Sequence, residues 1–163
     1  IGNYIFFLLN LYQMKIYLDT SVFGGLFDDE FHEWTTKLFD ELSSGRHIAV
    51  ISDLTLEELS KAPEFVKNAL NNVPDAYLEY ILLNDEAIEL SNHYIKERIV
   101  GKKSLIDSRH IAISTVNKVD VLVSWNFKHI VNFNKIRLYN SVNMKYGYSL
   151  LEIRTPREVI HEK

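Results

Sequence analysis

The 163 residues (19.0 kDa) are 47% hydrophobic and 25% charged, enough for one domain with a single substantial core. The absence of cysteine excludes disulfides, thiolate zinc sites and a cysteine nucleophile, and agrees with a reducing cytoplasm, the expected location. The formal net charge of −4 argues against a uniformly basic nucleic-acid binder, yet residues 1–93 hold 5 Lys/Arg against 16 Asp/Glu, while residues 94–163 hold 13 against 6. That polarity agrees with a polyanion surface on the second half, and equally with two solvated faces of opposite sign.

Ile1 to Gln13 is an apolar run without a charge, lacking a basic flank and a small-residue cleavage site and too short to span a bilayer. It reads as an upstream or non-native extension of a single domain at 14–163; the alternative is a helix packed on that domain. No other stretch approaches membrane length. Lys15–Leu18 is a short buried strand. Phe31, Trp34, Thr35, Leu38, Phe39 and Leu42 then recur at helical spacing up to Gly45. Ile48–Ile51 is a β-branched strand, and Ser52 or Asp53 can cap the helix Leu54–Ala62, which Pro63 stops. Phe65, Val66, Ala69, Leu70 and Val73 predict a further short helix, and Tyr77–Leu83 a strand. Asp85 is placed to cap the helix of Ile88, Ser91, Ile95 and Ile99, with Gly101 at its end. Ser104–Asn117 is predicted helical with Leu105, Ile106, Ile111, Ala112 and Thr115 inward, before the buried strand Val121–Val123. Phe127–Val131 reads as a helical turn, Ile136–Leu138 as a strand and Leu150–Ile153 as an edge strand; 142–148 is expected against the sheet edge. Apolar strands alternating with helices predict an α/β fold whose parallel sheet is covered on both faces.

Three acids stand where predicted elements end or begin. Asp19 follows the first strand, Glu58 lies about one turn into the helix after the second, and Asp107 opens the helix leading to Val121–Val123. Ligands of open parallel sheets bind beyond the carboxyl ends of the strands. If these strands are neighbours, Asp19, Glu58 and Asp107 meet there with Ser124 and Asn126, a hard-oxygen set suited to Mg²⁺ or Mn²⁺. For Asp53 and Glu57 the simpler role, a solvated helix-start carboxylate, suffices. A glycine-rich dinucleotide turn, a P-loop and a nucleophile elbow are absent, and Ser21 stands where an aspartyl phosphatase has its second acid.

Tyr17-Leu18-Asp19-Thr20-Ser21-Val22-Phe23 resembles the opening motif of PIN-domain nucleases. Glu58-Leu59 falls where that family has its second acid, Asp107 with Ala112 resembles its third motif, and Val121-Leu122-Val123-Ser124-Trp125-Asn126-Phe127 its fourth. The resemblance runs from Met14 to Ile153. It implies a Rossmann-like three-layer α/β/α sandwich and metal-dependent endoribonuclease activity, as in the toxins of bacterial and archaeal toxin–antitoxin pairs. By carry-over, Asp19, Glu58 and Asp107 are the catalytic and metal-binding acids, with Ser21 and Ser124 as polar supports for substrate or metal-bound water. An antitoxin and a second copy of the chain are the implied protein partners. Where many members have a fourth acid this chain has Asn126, an uncharged ligand by its amide oxygen. The expectation is one tightly held Mg²⁺ or Mn²⁺, a second joining only when RNA phosphate adds ligands.

Arg109 and Lys128, with Lys102 and Lys103, can track a phosphate backbone or simply face water. His110 and His129 can donate to a phosphate or shuttle a proton, or be hydrogen-bonded on a helix surface; His32, His47 and His93 read as surface residues. Trp125 can stack an unpaired base or cover a sheet edge. The rival reading is a PIN-like module that has lost catalysis and binds RNA or protein, which Asn126 favours.

Overall fold

The structure, a computed structural model, describes residues 13–161. The extension expected at 1–13 therefore lies, Gln13 excepted, outside the described residues. Five parallel strands, β1 Lys15–Leu18, β2 Ile48–Ser52, β3 Leu78–Ile81, β4 Val121–Val123 and β5 Ile153–Arg154, pair in the order β3-β2-β1-β4-β5. The chain winds outward from β1 to β3, then returns to lay β4 on the other side of β1. Winding thus reverses between β1 and β4, and such a reversal opens a crevice beyond the strand ends.

The period of two along each strand sorts the core into two layers. Ile16 and Leu18 face one layer with Ala49, Ile51, Val121 and Val123; Tyr17, Val50 and Leu122 face the other. The first layer is covered by α1 Thr20–Gly25, α2 His32–Ser43, α4 Glu64–Lys67 and α8 Pro156–His161, through Val22, Phe23, Leu38, Phe39, Leu42, Val66 and Val159. The second is covered by α5 Asp85–Lys96, α6 Leu105–Val116 and α7 Phe133–Lys145, through Leu90, Tyr94, Ile111, Ile113, Tyr139 and Val142. Helix α3, Asp53–Ser60, contributes Leu59 to the first layer and Leu54 to the second. This is the expected three-layer α/β/α sandwich.

Several local expectations are corrected. Ile136–Leu138 is not a strand but part of α7, whose start is set by Asn132 accepting from Lys135 N (3.2 Å). Asn84, not Asp85, caps α5, and that helix ends at Lys96, where Arg98 (φ 60°) turns the chain before Gly101 is reached. Ser52 rather than Asp53 caps α3, in a reciprocal box with Thr55. The 65–73 helix splits into α4 and a 3₁₀ stretch Asn68–Asn72. Ile106 is 38% exposed, not inward. The Leu150–Ile153 strand shrinks to Ile153–Arg154 at the sheet edge, and the predicted Tyr77–Leu83 strand to Leu78–Ile81. Helices α1 and α8 were not foreseen, because each is only 6 residues long and shows less than two turns of periodicity. Among the described residues no helix is long and apolar enough to cross a membrane.

Candidate active site

Asp19 is the residue at which β1 ends and α1 begins. Its N–H donates to Val123 O (3.1 Å), so the backbone still belongs to the β1–β4 pairing. Its carboxylate caps α1: Oδ2 accepts from Ser21 N (3.4 Å), Ser21 Oγ (2.6 Å) and Ser124 Oγ (2.8 Å). The two serines expected as supports thus hold Asp19 itself, and each hydroxyl also accepts a backbone N–H, from Trp125 and Asn126 respectively. Asp19 is only 5% exposed, so these donors replace the water that its burial removes.

Glu58 approaches from the second turn of α3 and is half-buried. Its Oε2 accepts from Thr20 Oγ1 (2.6 Å) and from His110 Nε2 (2.6 Å). His110 is buried, which corrects its reading as a helix-surface histidine, and its Nε2 also lies 3.7 Å from Asp19 Oδ1. The other ring nitrogen lies 2.7 Å from Tyr17 Oη, itself 2.7 Å from Ser52 Oγ. Asp107, one turn before His110 on α6, accepts from Asn126 Nδ2 at 3.0 Å. Asn126 Oδ1 is taken by His129 N–H (3.0 Å), which fixes the amide orientation. Asn126 therefore presents its amide donor to Asp107, while its oxygen, the expected ligand atom, accepts from His129.

The ionisation of the cluster follows from this packing. Burial pulls His110 down, but its hydrogen bond to Glu58 and the charges of Asp19, Glu58 and Asp107 outweigh it, and its pKa lies above the ordinary imidazole value. Nε2 lies within hydrogen-bonding distance of Glu58 Oε2, and Nδ1 of Tyr17 Oη. Burial pushes Glu58 up, but the bonds from His110 and Thr20 prevail and hold its carboxyl below the usual range. Asp107 shifts the other way: burial first, then repulsion from Asp19 and Glu58, raises it against the pull of His129 and His110. His110 thus faces three carboxylates, and Asp107 is the one of them held above the usual carboxylate range.

The other expected groups are less committed. Arg109 Nε is buried without a hydrogen-bond partner, and Lys128 is exposed; neither is bonded to the acids. His129 lies close enough to Asp107 to lower its pKa, and its Nδ1 is buried without a partner. His47, read as a surface residue, is buried with Nε2 3.5 Å from Glu41 Oε2. Trp125 stacks on Phe31 (centroids 4.3 Å, 18°) and donates Nε1 to Thr35 Oγ1, so one of its faces is already covered. Thr20 and Tyr17 had no distinguishing sequence signal. His110 had one: its spacing of three from Asp107 puts both on one helix face.

The donor set agrees in chemistry with a hard divalent cation, since three carboxylates and too little positive charge meet here. The placement is less favourable. Among the described residues, no group of three or more His, Cys, Asp or Glu is positioned to hold one ion. His110 Nε2 stands between two of the acids, 2.6 Å from Glu58 Oε2 and 3.7 Å from Asp19 Oδ1.

No family model matches the sequence, and no curated protein matches it significantly. Solved structures do match. A sarcin-ricin loop cleaving toxin of Mycobacterium tuberculosis, VapC20, superposes with a TM-score of 0.54 at 12% identity, over 84% of this chain and 98% of its own. The VapBC2 structure of Rickettsia felis, bound to a promoter DNA fragment, gives 0.51 at 15%, over 87% and 98%. A toxin–antitoxin complex of Klebsiella pneumoniae gives 0.52 at 15%, over 74% and 93%. The likeness supports the PIN-domain toxin resemblance read from the motifs, at the level of fold.

Proposed function

We propose that the chain is a Mg²⁺- or Mn²⁺-dependent endoribonuclease of the cytoplasm, acting as the toxin of a toxin–antitoxin pair. The observation that carries this reading is the convergence of Asp19, Glu58 and Asp107 around His110 at the β1–β4 switch point. Their fold neighbours include a toxin that cleaves the sarcin-ricin loop and complexes of toxins with antitoxins. Asp19, Asp107 and Glu58 are the residues that would hold the ion. When bound, it would supply charge neutralisation and Lewis acidity at a phosphodiester. The chain's own groups do the rest. Ser21 and Ser124 orient Asp19 with its Oδ1 free of the serine bonds, and Thr20 does the same for Glu58. His110 holds a proton at Nε2 between Glu58 and Asp19, and Asn126 Nδ2 steadies Asp107.

Cleavage of single-stranded RNA should require Mg²⁺ or Mn²⁺, stop in EDTA, and fall by at least about a hundredfold in Asp19→Asn and Asp107→Asn with the fold retained. Activity persisting in both variants would overturn the assignment. A second reading, a PIN-like module without catalysis that binds RNA or protein, is favoured by Asn126 donating where an oxygen ligand was expected. Isothermal titration with Mn²⁺ separates the two: heat that Asp19→Asn abolishes supports the nuclease, and no heat from the native chain supports the module. An antitoxin partner and a homodimer belong to the first reading.

A further inference from the structure

Next to the acid cluster lies a cleft of about 600 Å³ lined by Phe31, Trp125, Phe127 and Phe133 together with Arg154 and Arg157. Its aromatic wall is rigid. Phe31 and Trp125 are stacked, and Phe127 leans on both with centroids 6.1 Å from each. Trp125 also ties the wall to the acids: its backbone N–H donates to Ser21 Oγ, which donates to Asp19 Oδ2. A ligand reaching Asp19 from this side must therefore pass over the wall. Phe127 and Phe133 leave 50% and 74% of their surface to water. Of the two guanidinium groups lining the cleft, Arg154 is paired with Glu152 (2.6 Å), whereas Arg157 lies 5.5 Å from the Trp34 ring and, among the described residues, has no carboxylate partner. Of the acids at the cleft, Glu30 is exposed and Glu158 is committed to capping Thr155.

Flat apolar faces beside one unpaired guanidinium group match a ligand with a flat face and an anion one sugar away. An aliphatic peptide segment would cover the rings and leave Arg157 uncompensated. We propose that the cleft is a nucleobase subsite, receiving on Phe127 and Phe133 an unpaired base of the single-stranded RNA that adjoins the phosphodiester at Asp19, with Arg157 on its phosphate. The substrate class rests on the ribonuclease reading.

The test is metal-free, so that it does not depend on cleavage. A fluorescently labelled 2′-O-methyl RNA strand, and the same strand with abasic residues, are titrated with the full chain in EDTA at one fixed salt concentration. The base-bearing strand should bind at least about fivefold more tightly, and Phe127→Ala and Phe133→Ala should each shrink that gap. Phe133 is 74% exposed, so Phe133→Ala should keep the native melting temperature, while Phe127→Ala, which gives up its packing on Phe31 and Trp125, should melt lower but remain folded at the assay temperature. Equal affinity for the two strands, or a gap that survives both substitutions, overturns the subsite. So does an absence of strand binding while an apolar peptide quenches Trp125 fluorescence, which would make the cleft a protein-docking surface. Base-dependent binding without Mn²⁺-dependent cleavage sinks the nuclease and leaves the subsite standing; cleavage without base dependence does the reverse.

Discussion

His110 decides the character of the acid cluster. Its buried ring is bonded to Glu58 and lies 3.7 Å from Asp19, and its position follows from being one turn beyond Asp107 on a helix that packs against Tyr17. His110→Gln keeps a hydrogen-bonding amide but no charge, and should cost about 1–3 kcal/mol in urea unfolding, since Glu58 is left under-compensated. The pH dependence has a definite sign. The raised His110 contributes stability that is full below the ordinary imidazole value of about 6.5 and is lost as pH rises through its folded value. The lowered Glu58 contributes stability present above about pH 4.3 and lost as pH falls through its folded value. Metal-free protein should therefore be most stable between these two titrations. In His110→Gln the alkaline decline should disappear; melting curves with the same decline in both proteins would refute this assignment of charge.

Single glycines show how elements are joined. Gly45 closes the turn between α2 and β2 at φ +73°, and a Cβ there would lie 2.3 Å from Cζ of Tyr77. Gly45→Ala therefore meets both a left-handed backbone and an aromatic ring, and should lose at least about 2 kcal/mol. Gly24 is the matched control: it is helical, a Cβ would meet nothing within 4 Å, and alanine should be neutral or stabilising by up to about 1 kcal/mol. Urea midpoints of the two variants check the contrast, and similar values for both would contradict it. Element starts obey the same local chemistry. The caps at Ser52, Asn84 and Asn132 each bring a side-chain oxygen to a backbone N–H three residues on, and they place α3, α5 and α7 more sharply than hydrophobic spacing does.

Across the whole molecule the sheet order keeps the two halves of the sequence side by side. β3, β2 and β1 come from the acidic half, β4 and β5 from the basic half, and the two meet where Asp19 faces Ser124. A polyanion should approach from the β4 side, where Lys128 and Arg157 lie. In the strand-binding assay, Lys128→Gln and Arg157→Gln should each lower the slope of log K against log[salt] by up to about 0.7, the value for one single-strand phosphate contact. Lys67→Gln, in the acidic half, should leave it unchanged. Equal slopes in all three variants would show that the charge division plays no part in binding.

The sequence by itself determined the α/β alternation, three of the strands to within a residue, and the three acids, because apolar runs, caps and strand-end carboxylates are local signals. It left Ile136–Leu138 misread, since three apolar-rich residues fit a strand or a helix equally until the Asn132 cap and the packing of Tyr139 and Val142 decide. Only the tertiary structure revealed that Tyr17 and Thr20 belong with the acids and that His110 is bonded between Tyr17 and Glu58. Their partners lie 35 or more positions away in the chain, and only strand pairing together with the packing of α3 and α6 on the sheet brings such groups within hydrogen-bonding distance.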